Sequence, residues 1–159
     1  LTYPERVYTE DEVKKAKQLV DAGYKHDLAV KGELSFTAKV SEAIELLKTA
    51  GYYDFIRSYI RQIKEIDGLT QLRETEASIW ANKFAVENPV DFASLIVQKA
   101  YHMKEYLDGE IYYGGNSEKR TTQKRIDFLG VLKEKSQDAS VQDECTRLLE
   151  LWRESSIAY

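Results

Sequence analysis

"YDFIRSYIRQIKEIDGLTQLRETEASIWANKFAVE", residues 53–87, decides how the whole chain is read. Taken at the helical period, Phe55, Ile56, Tyr59, Ile60 and Ile63 fall on one face of a helix from about Tyr53 to Ile66. Asp67-Gly68 ends it. Thr70 then caps a second helix, about Gln71 to Glu87, whose apolar side is Leu72, Ile79, Trp80 and Phe84. On this reading the segment is helix, turn, helix, and nothing else in the chain demands a sheet.

The flanks extend the pattern. Upstream, Thr9-Glu10-Asp11-Glu12 has the spacing of a capping box, opening a helix that stops near Ala22-Gly23. Residues 24–35 have no clear period and read either as a short helix with a loop or as a strand-like excursion. Phe36, Val40, Ile44 and Leu47 form the next apolar stripe, closed by Gly51. Downstream, Asn88-Pro89 reads as a cap followed by the first helical position. That helix runs to about Asp108, with Phe92, Leu95, Ile96, Ala100, Met103 and Leu107 inward. Asn116 or Ser117 caps a helix to about Lys135. Ser140 starts the last one, with Val141, Cys145, Leu148, Leu149 and Trp152 inward. The fold expected is all-α: a compact bundle of six or seven helices built from antiparallel helical hairpins, one domain over 1–159, with 1–8 and 156–159 as loose tails.

Composition narrows the function classes. The chain has 159 residues, 43% of them hydrophobic, which suits one globular core. No apolar run approaches the roughly 20 residues of a membrane helix. Cys145 is the only cysteine, so no intrachain disulfide forms, and a cytoplasmic setting is expected. The net charge of −4 argues against nucleic-acid binding by the surface at large, though not by a local patch.

Several residue sets carry candidate chemistry. His26-Asp27 resembles the dyad of all-helical metal-dependent phosphohydrolases, but no histidine precedes it and only His102 follows. Glu42/Glu45 and Glu105/Asp108 are carboxylate pairs at i, i+3 that suit magnesium if they converge. They resemble the acidic pattern of helical nucleotide pyrophosphatases, although the second pair lies too far along the chain. Glu74, Glu76 and His102 lack the Glu-x-x-His spacing of di-iron bundles. Gly114-Gly115 is a turn before a helix, without the lysine of a phosphate loop. No metal site and no cofactor are expected.

The strongest surface signal is "GEIYYGGNSEKR" (109–120) together with the basic residues just after it. Tyr112 and Tyr113 precede Lys119, Arg120, Lys124 and Arg125, and tyrosines beside cations suit stacking on bases with contacts to phosphate. Eleven tyrosines, many at helix ends, also suit a protein interface. The expectation is a non-enzymatic helical interaction protein, an oligomeric scaffold or accessory subunit, with a homo-oligomer or a protein as partner and no membrane. The alternatives are a nucleic-acid-associated subunit of a ribonucleoprotein assembly, with RNA or DNA as partner, and a magnesium-dependent hydrolase.

Overall fold

The computed structural model describes residues 2–110 and 114–157, with side chains described as far as Ser155. In chain order the elements are α1 (Glu10–Asp21), β1 (Ala29–Lys31), α2 (Leu34–Thr49), α3 (Tyr53–Tyr59), β2 (Gln62–Glu65), β3 (Gln71–Arg73), β4 (Ser78–Ala81), α4 (Pro89–Leu107), α5 (Gly115–Lys135) and α6 (Ala139–Ile157). The all-α expectation is therefore wrong. Among the described residues, six helices are joined by a four-stranded mixed sheet of order β1-β2-β4-β3. The β1–β2 and β2–β4 pairs are parallel, and β3 runs antiparallel to β4 at the edge.

The error sits in 53–87, and its cause is visible. The helix that begins at Tyr53 stops at Tyr59, and Ile60 is already extended (φ −111°, ψ 119°). Ile60 and Ile63 are β-branched, and Ile63 occupies the sheet centre, level with Val30 and Ile79. A three-residue apolar spacing mimicked a helix where tertiary pairing required a strand. The second error has the same character. Leu72 and Ile79 are seven apart, two helical turns, but they are also cross-strand partners in the β3–β4 hairpin. Its turn is a single 3₁₀ turn, Glu74–Glu76, closed by Ala77 in the left-handed region (φ 51°). Of the two readings open for 24–35, the strand-like one is found, as β1.

Where the helical stripes were long, they held. α1 carries the full capping box between Thr9 and Glu12. Asn88 caps α4 through its side chain, with Pro89 in the first turn. α5, however, begins at Gly115 with Gly114 as its cap, and neither Asn116 nor Ser117 caps it. Asp138, not Ser140, opens α6: its carboxylate accepts from the Ser140 amide at 2.9 Å.

One core cluster joins helices and sheet. Val30, Ile63, Ile79 and Leu72 line one face of the sheet and pack into that cluster with α2 and α4. The opposite face carries Ala29, Lys31, Gln62, Lys64, Trp80, Gln71 and Arg73, all at least partly exposed, and the buried Ser78. The segment 2–8, expected as a loose tail, is a strap. Val7 is fully buried, its amide donates to the Thr75 carbonyl at 2.7 Å, and its carbonyl accepts from the Tyr106 hydroxyl. Arg61 donates to the carbonyls of Pro4 and Glu5.

Candidate functional site

The predicted basic patch is dispersed by the fold. Tyr112 and Tyr113 lie outside the described residues. Lys119 is exposed, and Lys124 is exposed with its ammonium 5.0 Å from the Tyr101 ring centre. Arg120 donates to Glu105 Oε2 at 2.7 Å. Arg125 is buried and faces inward, where it ties three helices. Its Nε donates to Ser94 Oγ (2.7 Å), its Nη1 to Gln98 Oε1 (3.2 Å) and its Nη2 to Asp91 Oδ1 (2.8 Å). The Trp152 ring of α6 lies 4.8 Å from its guanidinium carbon. Four cations that looked contiguous in sequence thus include one committed to the interior and one paired to a carboxylate.

Arg125 belongs to a polar seam between α4 and α5 that the sequence reading missed. Ser94, Gln98 and His102 stand at i, i+4, i+8 on α4, facing Ser117, Thr121 and Arg125 at the same spacing on α5. Thr121 donates to the Ser117 carbonyl at 2.8 Å, so its oxygen accepts from Gln98 Nε2 (3.4 Å) and from His102 Nε2 (3.0 Å). That pattern requires the Nε2–H tautomer of His102. Burial, and then the charge of Lys99, hold the His102 pKa below its ordinary value, so the ring is neutral at pH 7. Burial likewise depresses the pKa of the Lys99 ammonium.

A signal for the seam existed in "QKAYH", residues 98–102. Gln98 and His102 have the i, i+4 spacing of the two zinc ligands in an H-E-x-x-H helix. Here an amide stands at the first ligand position and an ammonium at the position of the general base. Glu118 comes to 3.9 Å from His102. The donor set does not fit zinc, which takes thiolate, imidazole or carboxylate ligands, and among the described residues no group of three such side chains is placed to hold a metal. Cations account for much of the remaining acidic candidate set. Glu45 pairs with Lys48 (3.2 Å), Glu105 with Arg120, and Asp108 is clasped by Lys17 (2.7 Å) and Lys104 (2.8 Å). His26 is not a loop-surface group. It is buried against Tyr3 and Tyr24, with ring centres 4.4 and 5.0 Å away.

A second place stands out once the sheet is known. The carboxyl ends of β1, β2 and β4 meet at a crevice of about 360 Å³ lined by Glu33, Glu65, Ile66, Asp67, Asn82, Lys83 and Phe84. Crevices outside the carboxyl ends of parallel strands are where open α/β sheets bind their ligands. Gly32 lets the wall close up: a Cβ there would sit 2.8 Å from Glu65 Cβ and 2.7 Å from Phe36 Cδ1. Glu65 in turn accepts from the Glu33 amide at 2.9 Å. Asn82 ties down the loop after β2. Its side-chain amide donates to the Gly68 carbonyl at 3.2 Å, and its backbone amide donates to Thr70 Oγ1 at 3.2 Å. Phe84, 67% exposed, lines the crevice, while Leu34 and Leu69, 89% and 84% exposed, follow the lining residues Glu33 and Asp67 by one and two positions in the chain. Each follows shortly after the carboxyl end of a strand, a relation invisible while the segment reads as helix.

Compared with protein-family models, curated proteins and solved structures, the chain matches none. Among the described residues no helix is long and apolar enough to cross a membrane.

Proposed function

We propose that this chain is a non-enzymatic interaction protein, an accessory subunit that docks a protein partner at the carboxyl-end crevice of its sheet. The observation that carries the reading is the exposed Phe84 lining that crevice, with the exposed Leu34 and Leu69 one and two residues beyond the lining Glu33 and Asp67. Large apolar side chains grouped on a rim are the usual mark of a partner surface. Glu33, Glu65 and Asp67 outnumber the single Lys83 there, so the partner segment combines apolar with basic side chains. The same charge disfavours a symmetric second copy, which would set carboxylates against carboxylates. A cytoplasmic setting suits the lone thiol of Cys145, whose pKa burial pushes up to about 11, keeping it protonated and inert.

The test is to pan a displayed random-peptide library on the intact chain. Enriched sequences are expected to pair Lys or Arg with large apolar residues. Their affinity should fall at least tenfold on the Leu34→Ser/Leu69→Ser/Phe84→Ser variant, with its melting temperature unchanged. Peptides that bind the triple variant equally well would place the interaction elsewhere. A dimer of the 18.4 kDa chain in light scattering, abolished by the same triple variant, would assign the face to self-association.

A further inference from the structure

We propose that the solvent-facing side of the sheet binds single-stranded nucleic acid, with Trp80 as the stacking platform and Lys31, Lys64 and Arg73 as its phosphate contacts. This surface is distinct from the carboxyl-end crevice and from the α5 cations.

Strand register builds the surface. Lys31, Lys64, Trp80 and Gln71 are aligned across β1, β2, β4 and β3, and Ala29, Gln62, Ser78 and Arg73 form the adjacent row. Side chains alternate along each strand, so both rows point away from Ile63 and Ile79. At about 4.8 Å per strand the first row spans roughly 14 Å. Neither row contains an acidic residue. Lys31, Lys64 and Arg73 are exposed, and among the described residues none of them forms an ion pair with a carboxylate. In a chain of net charge −4, three cations left without carboxylates on one flat face form a local anion-attracting field.

Trp80 sits among them. The Arg73 guanidinium carbon is 4.4 Å from its ring centre and the Lys64 ammonium 5.6 Å. An indole beside a guanidinium plane offers two surfaces on which bases stack, and the half-buried amides of Gln62 and Gln71 flank it with donors and acceptors for base edges. Trp80 Nε1 and Ser78 Oγ are covered by their neighbours yet have no hydrogen-bond partner among the described residues. Unpaired buried donors are costly, and a ligand that shifts the Arg73 side chain provides them with acceptors. An acidic peptide would satisfy the cations but make no use of the ring.

Fluorescence anisotropy with labelled dT12 and, separately, labelled octaglutamate tests this. The dT12 oligonucleotide is expected to bind with a log–log salt slope of about −2, the value for three phosphates on a single strand. Lys64→Glu/Arg73→Glu should weaken it at least tenfold without altering the circular dichroism melt. Trp80→Leu should weaken it at least fivefold at unchanged salt slope. Lys14→Glu/Lys15→Glu on exposed α1 should leave it unchanged. Absence of dT12 binding at 20 mM salt overturns the proposal, as does indifference to the Lys64/Arg73 reversal. Equal affinity for octaglutamate would overturn it too, reassigning the face to an acidic protein. If Trp80→Leu fails to fold, the charge-reversal pair and the salt slope decide.

Discussion

Arg125 shows how much one residue's role depends on context. Its guanidinium reaches acceptors on three α4 residues and lies beside a ring from α6, so its loss leaves Asp91 and Gln98 without their partner. Arg125→Met is expected to lower unfolding free energy by about 2–3 kcal/mol in urea titrations, near the bottom of the range for a broken buried pair because Asp91 keeps some contact with water. Arg125→Lys should recover only part of this, since one ammonium does not reproduce a planar fork. His26 gives a pH signature. Burial, reinforced by Arg61, depresses its pKa from 6.5 to about 4. Between those values the unfolded chain binds a proton that the folded chain does not, so stability is full above pH 6.5 and falls as the pH drops towards 4. Linkage puts the loss at about 3 kcal/mol at most. The urea midpoint measured from pH 7 to 4 should show this slope, and His26→Phe should flatten it. Gly32→Ala is expected to cost about 1–3 kcal/mol, because the added methyl meets the Glu65 Cβ, which is fixed by its strand.

At the scale of elements, the strap 2–8 is the clearest departure from expectation. Val7→Ala should lower stability by about 1–2 kcal/mol, a cost that a loose tail would not show in thermal melts. The helices were legible because α1, α2 and α4 each repeat their apolar stripe over several turns, and two of them carry a local boundary signal, Thr9 with Glu12 and Asn88 with Pro89. The strands were not, because each is only three or four residues long and most of their pairing is with segments elsewhere in the chain. Ile63 is apolar for the sake of Val30 and Ile79, and no local period records that. The candidate site was hidden for the same reason. Glu33, Asp67 and Phe84 come to line one crevice only when three strand ends are brought together, and Arg125 changes from surface cation to interior tie only when α5 is docked on α4. What remained readable was the lack of a complete metal-ligand or phosphate-loop motif, and the seam's one trace, Gln98 with His102.

For the whole molecule, the two candidate surfaces carry opposite charge: carboxylates with apolar residues at the carboxyl ends of the strands, and cations around Trp80 on the open face. They are separable by ionic strength. Raising salt from 50 to 200 mM should reduce dT12 affinity by about twentyfold, from the slope expected of three phosphates. Peptide binding at the crevice, which rests largely on Leu34, Leu69 and Phe84, should change by less than about threefold because apolar burial is not screened. Parallel titrations of one preparation would show the two curves diverging, and curves that fall together would mean that one surface serves both ligands.

The order of the strands also has a consequence during synthesis. By Ala81 the ribosome has delivered all four strands, but α4, which holds many of the core residues that complete the cluster around Ile63 and Ile79, is not finished until Leu107. At roughly 5–20 residues per second, the nascent sheet waits on the order of one to five seconds for that helix, since the exit tunnel delays both alike. During this interval its apolar side has α2 but not α4 to cover it, and the remainder is open to water or to a holding chaperone. Slow synonymous codons that lengthen the interval between emergence of Ala81 and of Leu107 from the tunnel, one tunnel length downstream of each, are expected to lower soluble yield, whereas the same codons before Ala81 should not.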